Sequence, residues 1–387
     1  MNIIKNTCRN ALFILVTSST LFSIGCSSAP IKLNDVDTPN SPKKTNFSYP
    51  TPDHFLGEKL QDNEEKLAYE ISQHIEETIR KQYATKLALR DAHPKAHGCM
   101  KAEFKVLPNL AEKFAHGIFI PNKNYDAWIR FSNASSDASK ADYEKDARGM
   151  AIKILGVTGN KILENEKNAT TQDFIMINHP VFFADNASRY LKFVDATSSD
   201  SILKKLKLPF TLGFKGTKNA FSAANSKITN PINSRYWSMV PYQLGSGADR
   251  KAVKYSVKPC TQTSEFITKQ TNPDYLRTAL RSTLQEKNVC MEFMVQPRTS
   301  SNMSVEDSMT EWKESIAPFY TVAIINIPKQ EFDTPEQNQF CENLSFTPWH
   351  SLPEHKPLGA INRMRKIIYE NISTVRHQMN VTQRIEP

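Results

Sequence analysis

Near the C-terminus, Arg365, Tyr369 and Arg376 occur in the run Arg363-Met-Arg-Lys-Ile-Ile-Tyr369-Glu-Asn-Ile-Ser-Thr-Val-Arg376, spaced four and seven residues apart. On a helix those intervals share a face, so a phenol is set between two guanidiniums. A haem iron held by a phenolate needs such a setting: one arginine favours the ionised phenol and the other reaches a propionate. Taken alone, the same run also describes an amphipathic helix whose arginines are merely solvated.

Far upstream lies a second set of chemically suggestive residues. Arg90-Asp-Ala-His93-Pro-Lys-Ala-His-Gly98 is followed by Phe104-Lys-Val106, then by Trp128-Ile-Arg130-Phe-Ser132 and Asp146-Ala-Arg148-Gly149-Met-Ala-Ile-Lys153. Asp173-Phe-Ile-Met-Ile-Asn178-His-Pro180-Val-Phe-Phe183 comes next, with Tyr190 and Phe193 beyond it, and Phe346-Thr-Pro348 precedes the tyrosine run. In order, these resemble the distal-histidine segment of haem catalases and that family's VRFS, RDxRGxAxK, DxxxNxxPxFF and FDP runs. The chain is identified as a member of the catalase-related haem protein family, in a short, minimal-core form.

The resemblance implies an α+β fold, a closed antiparallel β-barrel with flanking helices that encloses haem b. It implies Tyr369 as the iron ligand, Arg365 as the group holding that phenol ionised, and His93 as the distal acid–base. Ser132 would orient His93, Arg90, Arg130 and Arg376 would meet propionates, and Tyr190 would line the cofactor. Asn178 departs from the pattern: it stands two residues before Pro180, where the family's distal asparagine stands three before, and Ile177 takes that place. Asp91 and Ala92 replace valines that line a narrow channel in large catalases. The first departure favours organic or lipid hydroperoxides beside hydrogen peroxide, and the second implies a different access to the pocket. The implied function is a haem peroxidase or catalase-like enzyme. The alternatives are a fatty-acid hydroperoxide isomerase or lyase resembling allene oxide synthase, and a non-enzymatic haem-binding lipoprotein. NADPH is not expected, because the nucleotide-binding additions of larger members have no counterpart here.

These residues need elements to carry them. Leu60, Leu67, Ile71, Ile75 and Ile79 recur near helical spacing and predict a helix from about Gly57 to Leu89. Strand-like stretches follow at 102–107, 127–132, 149–155, 173–177, 251–258, 289–295 and 320–327, before a helix at 363–376. Strands first with helices at the ends indicate an α+β domain around an antiparallel sheet. The Lys-, Ser- and Asn-rich stretch from Ser198 to Asn233 reads as a surface excursion with a short helix. Cys99, Cys260, Cys290 and Cys341 allow three full pairings, or none, and their spacing does not choose.

At the other end of the chain, Lys5 and Arg9 precede the apolar run Ala11-Leu-Phe-Ile-Leu-Val16, and Phe22-Ser-Ile-Gly25-Cys26 closes the segment. This is the pattern of a secretory signal, and the Gly-Cys junction resembles a bacterial lipobox with Cys26 as the lipidated residue. Residues 1–25 are expected to be the signal, 26–51 a flexible tether and 52–387 the haem-binding domain. The expected location is the periplasm, lipid-anchored to a bacterial membrane, the outer one. With 387 residues and 39% hydrophobic content, the chain is long and apolar enough for a substantial core. Its net charge of +9 is dispersed among acidic residues, without any nucleic-acid recognition signature, so nucleic acid is excluded as a partner. Oligomeric state is not legible in the sequence.

Overall fold

The computed structural model describes residues 47–199, 201–261 and 271–387. The expected signal, Cys26 and most of the expected tether lie outside the described residues.

Alternation decides which face of each strand turns inward. In β1 (Ala96–Val106), Met100, Ala102, Phe104 and Val106 join the core while Lys101, Glu103 and Lys105 face away. The sheet continues through β2 (Asn124–Asn133), β3 (Arg148–Leu155), β4 (Thr171–Ile177), β5 (Tyr236–Trp237), β6 (Tyr242–Leu244), β7 (Lys251–Pro259), β8 (Val289–Pro297) and β9 (Tyr320–Ile327), of which β2, β3 and β7 are buried along most of their length. All pairings between these strands are antiparallel, in the order β5-β4-β3-β2-β1-β9-β8-β7. The sheet closes where Tyr236 and Trp237 of β5 pair with Val257 and Ser256 of β7, which makes an eight-stranded barrel. β6 pairs with the other half of β7, through Tyr242 and Val253. Aromatic rings fill the interior: Phe174 meets Phe293 at 4.8 Å and Tyr255 at 5.0 Å, both edge-on.

Helices cover the barrel. α1 (Glu64–Gln82) buries Ala68, Ile71, Ile75 and Ile79 and packs along α6 (Ala360–Asn380), which buries Met364, Ile367, Ile368, Ile372 and Val375. α2 (Ala187–Ser198) and α3 (Ile202–Ala224) follow one another between β4 and β5. α4 (Tyr275–Glu286) lies on β1, and α5 (Pro335–Asn343) seats Phe340 and Cys341 on Trp128 and Cys99.

Three expectations need correction. The first helix runs only over α1: Gly57 sits at φ 86°, and beyond Gln82 the apolar Leu87 finds nothing to pack on and stays exposed. β1 begins at Ala96 rather than 102, because Gly98 lets the strand pass beneath Phe332 and Leu280, where a Cβ has no room. The excursion after Ser198 is at the surface, but it is built on a 23-residue helix, broken at Gly213 (φ 68°, ψ 176°), rather than a short one. The open cysteine pairing resolves into Cys99–Cys341, 242 residues apart, and Cys260–Cys290 at the β7–β8 end.

The start of α6 is held by charge. The N–H of Gly359 donates to Glu58 Oε1 (2.6 Å) and that of Ala360 to Glu306 Oε2 (2.7 Å), placing carboxylates at the positive end of the helix. Arg363, in the first turn, donates to Glu58 (2.6 Å), Glu64 (2.7 and 2.9 Å) and Glu306 (2.9 Å). These contacts tie both ends of the domain together and set the rotation of α6, and with it the direction of Arg365 and Tyr369.

Candidate active site

Arg365 and Tyr369 lie one turn apart on α6, Arg365 buried and Tyr369 half-buried against the core. The Arg365 guanidinium stands 5.7 Å from the Phe182 ring and meets no carboxylate among the described residues; it donates to Asn362 Oδ1 at 3.4 Å. Its charge acts on His93, Tyr190 and Tyr242, and Tyr369 acts on the same two tyrosines, so these groups lie within electrostatic reach of one another. Burial raises the phenols of Tyr190 and Tyr242 above their ordinary range, and Tyr369 adds to the effect.

His93 enters from the loop before β1 with φ +63°, a left-handed conformation that costs a side-chain-bearing residue energy. Its surroundings over-determine it. Nδ1 lies 3.0 Å from Ser132 Oγ, and the His93 carbonyl accepts from Arg130 Nη2 at 2.8 Å. Ser132 and Gly149 are cross-strand partners of β2 and β3, so the hydroxyl and the bare glycine meet the imidazole together. Any Cβ at Gly149 would collide with the ring. Burial, reinforced by Arg130, holds the imidazole down at about 4, so at neutral pH it is an uncharged proton acceptor.

Arg90 and Arg376 meet at a residue the sequence did not single out, with Arg130 within electrostatic reach. Glu342 at the end of α5 accepts from Arg90 Nη1 (2.6 Å) and Arg376 Nη1 (3.2 Å). Burial pushes the Glu342 carboxyl up, yet Arg90, Arg130 and Arg376 outweigh it and hold it below the usual range. Arg130 Nε is buried without a hydrogen-bond partner among the described residues. So two of the expected propionate partners engage a carboxylate of the chain itself, and the cluster keeps a positive surplus.

Asn178 is committed elsewhere. Its Oδ1 accepts from the Arg148 N–H (2.7 Å) and its Nδ2 donates to Ser226 Oγ (2.8 Å), so both ends of the carboxamide brace the β3–β4 end. Beyond it the wall is aromatic: Phe182 and Phe183 lie 4.3 Å apart, Phe183 and Phe193 4.4 Å, with Tyr190 5.7 Å from Phe182. The charge of Asp91 acts on Tyr190, and burial lifts its carboxyl to about 6. Sequence reasoning missed Glu342 and Tyr242. Nothing local marks them, since Glu342 lies 252 residues from Arg90 and Tyr242 sits on a three-residue strand.

The sequence matches the catalase family model over residues 59–383. Among solved structures the chain is similar to a bacterial catalase, with TM-score 0.60 and 16% identity over 89% of this chain and 67% of that one. It is also similar to a fungal catalase (TM-score 0.59, 16% identity, 78% of this chain and 63% of that one). The third is catalase A from Saccharomyces cerevisiae (TM-score 0.55, 18% identity, 78% and 66%). At these identities the likeness is one of fold, and the chain spans about two thirds of each structure's length. With the family model matched across nearly the whole described domain, and the closed barrel and its flanking helices matching the same fold, the chain belongs to the catalase family.

Proposed function

We propose that this protein is a haem-dependent peroxidase or catalase-like enzyme of the cell envelope, acting on organic hydroperoxides as well as hydrogen peroxide. The observation that carries it is the neutral His93, fixed by Ser132 and Gly149 and coupled through space to Arg365, one turn from Tyr369. The donor set suits haem b: a phenol for the iron, an arginine beside it without a competing carboxylate among the described residues, and a cationic cluster with an orphaned buried Nε for propionates. Tyr369 and Arg365 would hold the group from α6, and Arg130, Arg90 and Arg376 would meet its acidic edge. Haem bound there would supply the metal centre at which an O–O bond is cleaved.

The chain's own residues handle protons and substrate. With Nδ1 on Ser132, His93 exchanges the peroxide proton through Nε2, taking it from one oxygen and returning it to the other. Tyr190 and the phenylalanine wall exclude water. The committed carboxamide of Asn178 removes the polar group that would place a small peroxide, and the remaining apolar wall favours an organic one. Envelope location is supported by the Cys26 motif and by two disulfides in the folded domain, which suit an oxidising compartment.

The test pairs two variants of the haem-reconstituted protein. Tyr369→Phe should lose most of the haem, whereas His93→Ala should keep it and react with cumene hydroperoxide about 10²- to 10⁴-fold more slowly, the usual worth of a positioned proton shuttle. Full haem retention by the first variant, or unchanged reactivity of the second, rules the proposal out.

A further inference from the structure

Apolar side chains on a surface helix normally turn towards the core. In α3 they turn outward. Ile202, Leu203, Leu206, Phe210 and Phe214 are 72%, 70%, 65%, 87% and 89% exposed, and Phe221 is exposed as well. At 3.6 residues per turn, Ile202, Leu206, Phe210 and Leu203 fall within an arc of about 100°. Lys205 flanks that arc on one side and Lys207 on the other. The helix carries five lysines and no acidic residue. Lys204 pairs with Asp195 (2.8 Å) and Lys215 with Asp307 (3.1 Å), while Lys205 and Lys207 meet no carboxylate among the described residues.

The inner side of α3 is securely held. Leu212 and Gly216 are buried, and a Cβ at Gly216 would lie 2.6 Å from the Phe183 carbonyl. Asn219 Nδ2 donates to the carbonyls of Phe182 and Met309, both at 3.0 Å. Before the break at Gly213, buried Leu212 and the Lys204–Asp195 pair seat the exposed arc on the folded domain. Other strongly exposed apolar side chains, such as Phe55, Leu87 and Ile120, are spread singly along the chain.

We propose that α3 is an interfacial helix that docks this protein on an anionic phospholipid surface. Leucine and phenylalanine side chains would enter the boundary between headgroups and acyl chains, while the lysine ammoniums snorkel to lipid phosphates. The charge decides the occupant: apolar contact alone would suit another protein, but Lys205 and Lys207, which flank the arc and meet no carboxylate among the described residues, match an anionic lipid face. No helix among the described residues is long and apolar enough to cross a membrane, so α3 lies on the surface. Because α3 rests on Phe182 and Phe183, docking brings the bilayer one helix away from the aromatic wall of the site, within reach of a peroxidised acyl chain. That last consequence rests on the function proposed above; the docking itself does not.

The test uses the full chain carrying Phe210→Trp, mixed with vesicles of phosphatidylethanolamine and phosphatidylglycerol bearing brominated acyl chains. The introduced indole should shift its emission to the blue and be quenched, and added salt should weaken the effect. Leu206→Glu with Phe210→Glu, both at exposed positions that leave the fold intact, should weaken vesicle binding about tenfold or more. Flotation with vesicles while the introduced indole stays unshifted and unquenched would overturn the proposal in favour of attachment elsewhere on the chain. Conversion of an oligomer to a monomer by the glutamate variants, with vesicle binding unchanged, would overturn it in favour of a second copy. No readout involves peroxide, so an inactive enzyme leaves the docking result standing, and an unquenched indole leaves the enzymatic reading untouched.

Discussion

At the first turn of α6 one guanidinium, Arg363, meets three carboxylates; near the other end of the same helix two guanidiniums, Arg90 and Arg376, meet one, Glu342, and the charge of a third, Arg130, acts on it as well. Burial acts on both groups, with opposite results. Arg363 is kept charged, because Glu64 and Glu306 outweigh its burial. Arg130 and Arg376 are drawn down to about 9 and about 10, by burial first and then by the charge of Arg90 beside them. The first arrangement is satisfied by the chain alone and serves as scaffold. The second holds more buried positive charge than the chain neutralises, which is the condition under which an outside anion is stabilising.

The contrast breaks most visibly at Arg363. Arg363→Met leaves Glu58, Glu64 and Glu306 without their shared cation and should cost about 3–5 kcal/mol of stability, with no rescue by added anions. Urea denaturation measures it, and a loss below about 1 kcal/mol would mean the carboxylates relax to water.

Glu342→Gln sharpens the other side. In haem-free protein it should cost about 1–3 kcal/mol, and sulfate should restore part of the loss, more than it stabilises the parent. Glu342's carboxyl lies below its ordinary 4.5 in the folded state, so its contribution is full above that pH and fades as pH falls through the folded value. The variant should therefore flatten the acid limb of the stability curve below about pH 4.5. A sulfate response equal to that of the parent would show that the surplus positive charge is not a binding feature.

An effect of the opposite sign is expected at Asp91, an acid whose charge acts on Tyr190 and which meets no cation among the described residues. Its carboxyl rises to about 6 from 3.8, so the folded chain holds an extra proton between those values and loses stability as pH rises through them. Asp91→Asn should stabilise by up to about 3 kcal/mol at pH 7, the full linkage of that shift, and by nothing below about pH 4. Thermal unfolding at the two pH values reads this directly, and equal stabilisation at both would exclude titration as the cause.

Much of the barrel could be read from the sequence because period-two alternation is a local property: seven of the strands were anticipated within a few residues, save the early start of β1. β5 and β6 were not, since two or three residues carry no periodicity. α3 escaped because Pro209, Gly213 and Gly216 read as breakers and its apolar face has no protein partner to suggest a buried stripe. In the candidate site, the segments around His93, Ser132 and Gly149 were legible as a motif, and the structure brings those three into contact. Glu342 was not legible, because an ion pair between residues 252 apart leaves no trace in spacing. Asn178 shows the complementary failure: residue type suggested chemistry, and its hydrogen bonds assign it to bracing strands.

The Cys99–Cys341 bond has a mechanical consequence. It closes a covalent ring that contains most of β1, all of β2 to β9 and nearly all of α5, while α1 and α6 lie outside it. Tension applied at the two chain ends would pass from Cys99 to Cys341 through sulfur, leaving the barrel strands unloaded. Only the outer segments can be drawn out, so α6 peels away with Tyr369 and Arg365 while the barrel still stands. A pulling machine that engages the C-terminus would thus strip the helix carrying the candidate iron ligand first and then stall at a loop it must thread as a doubled chain, unless a reductant opens the bond.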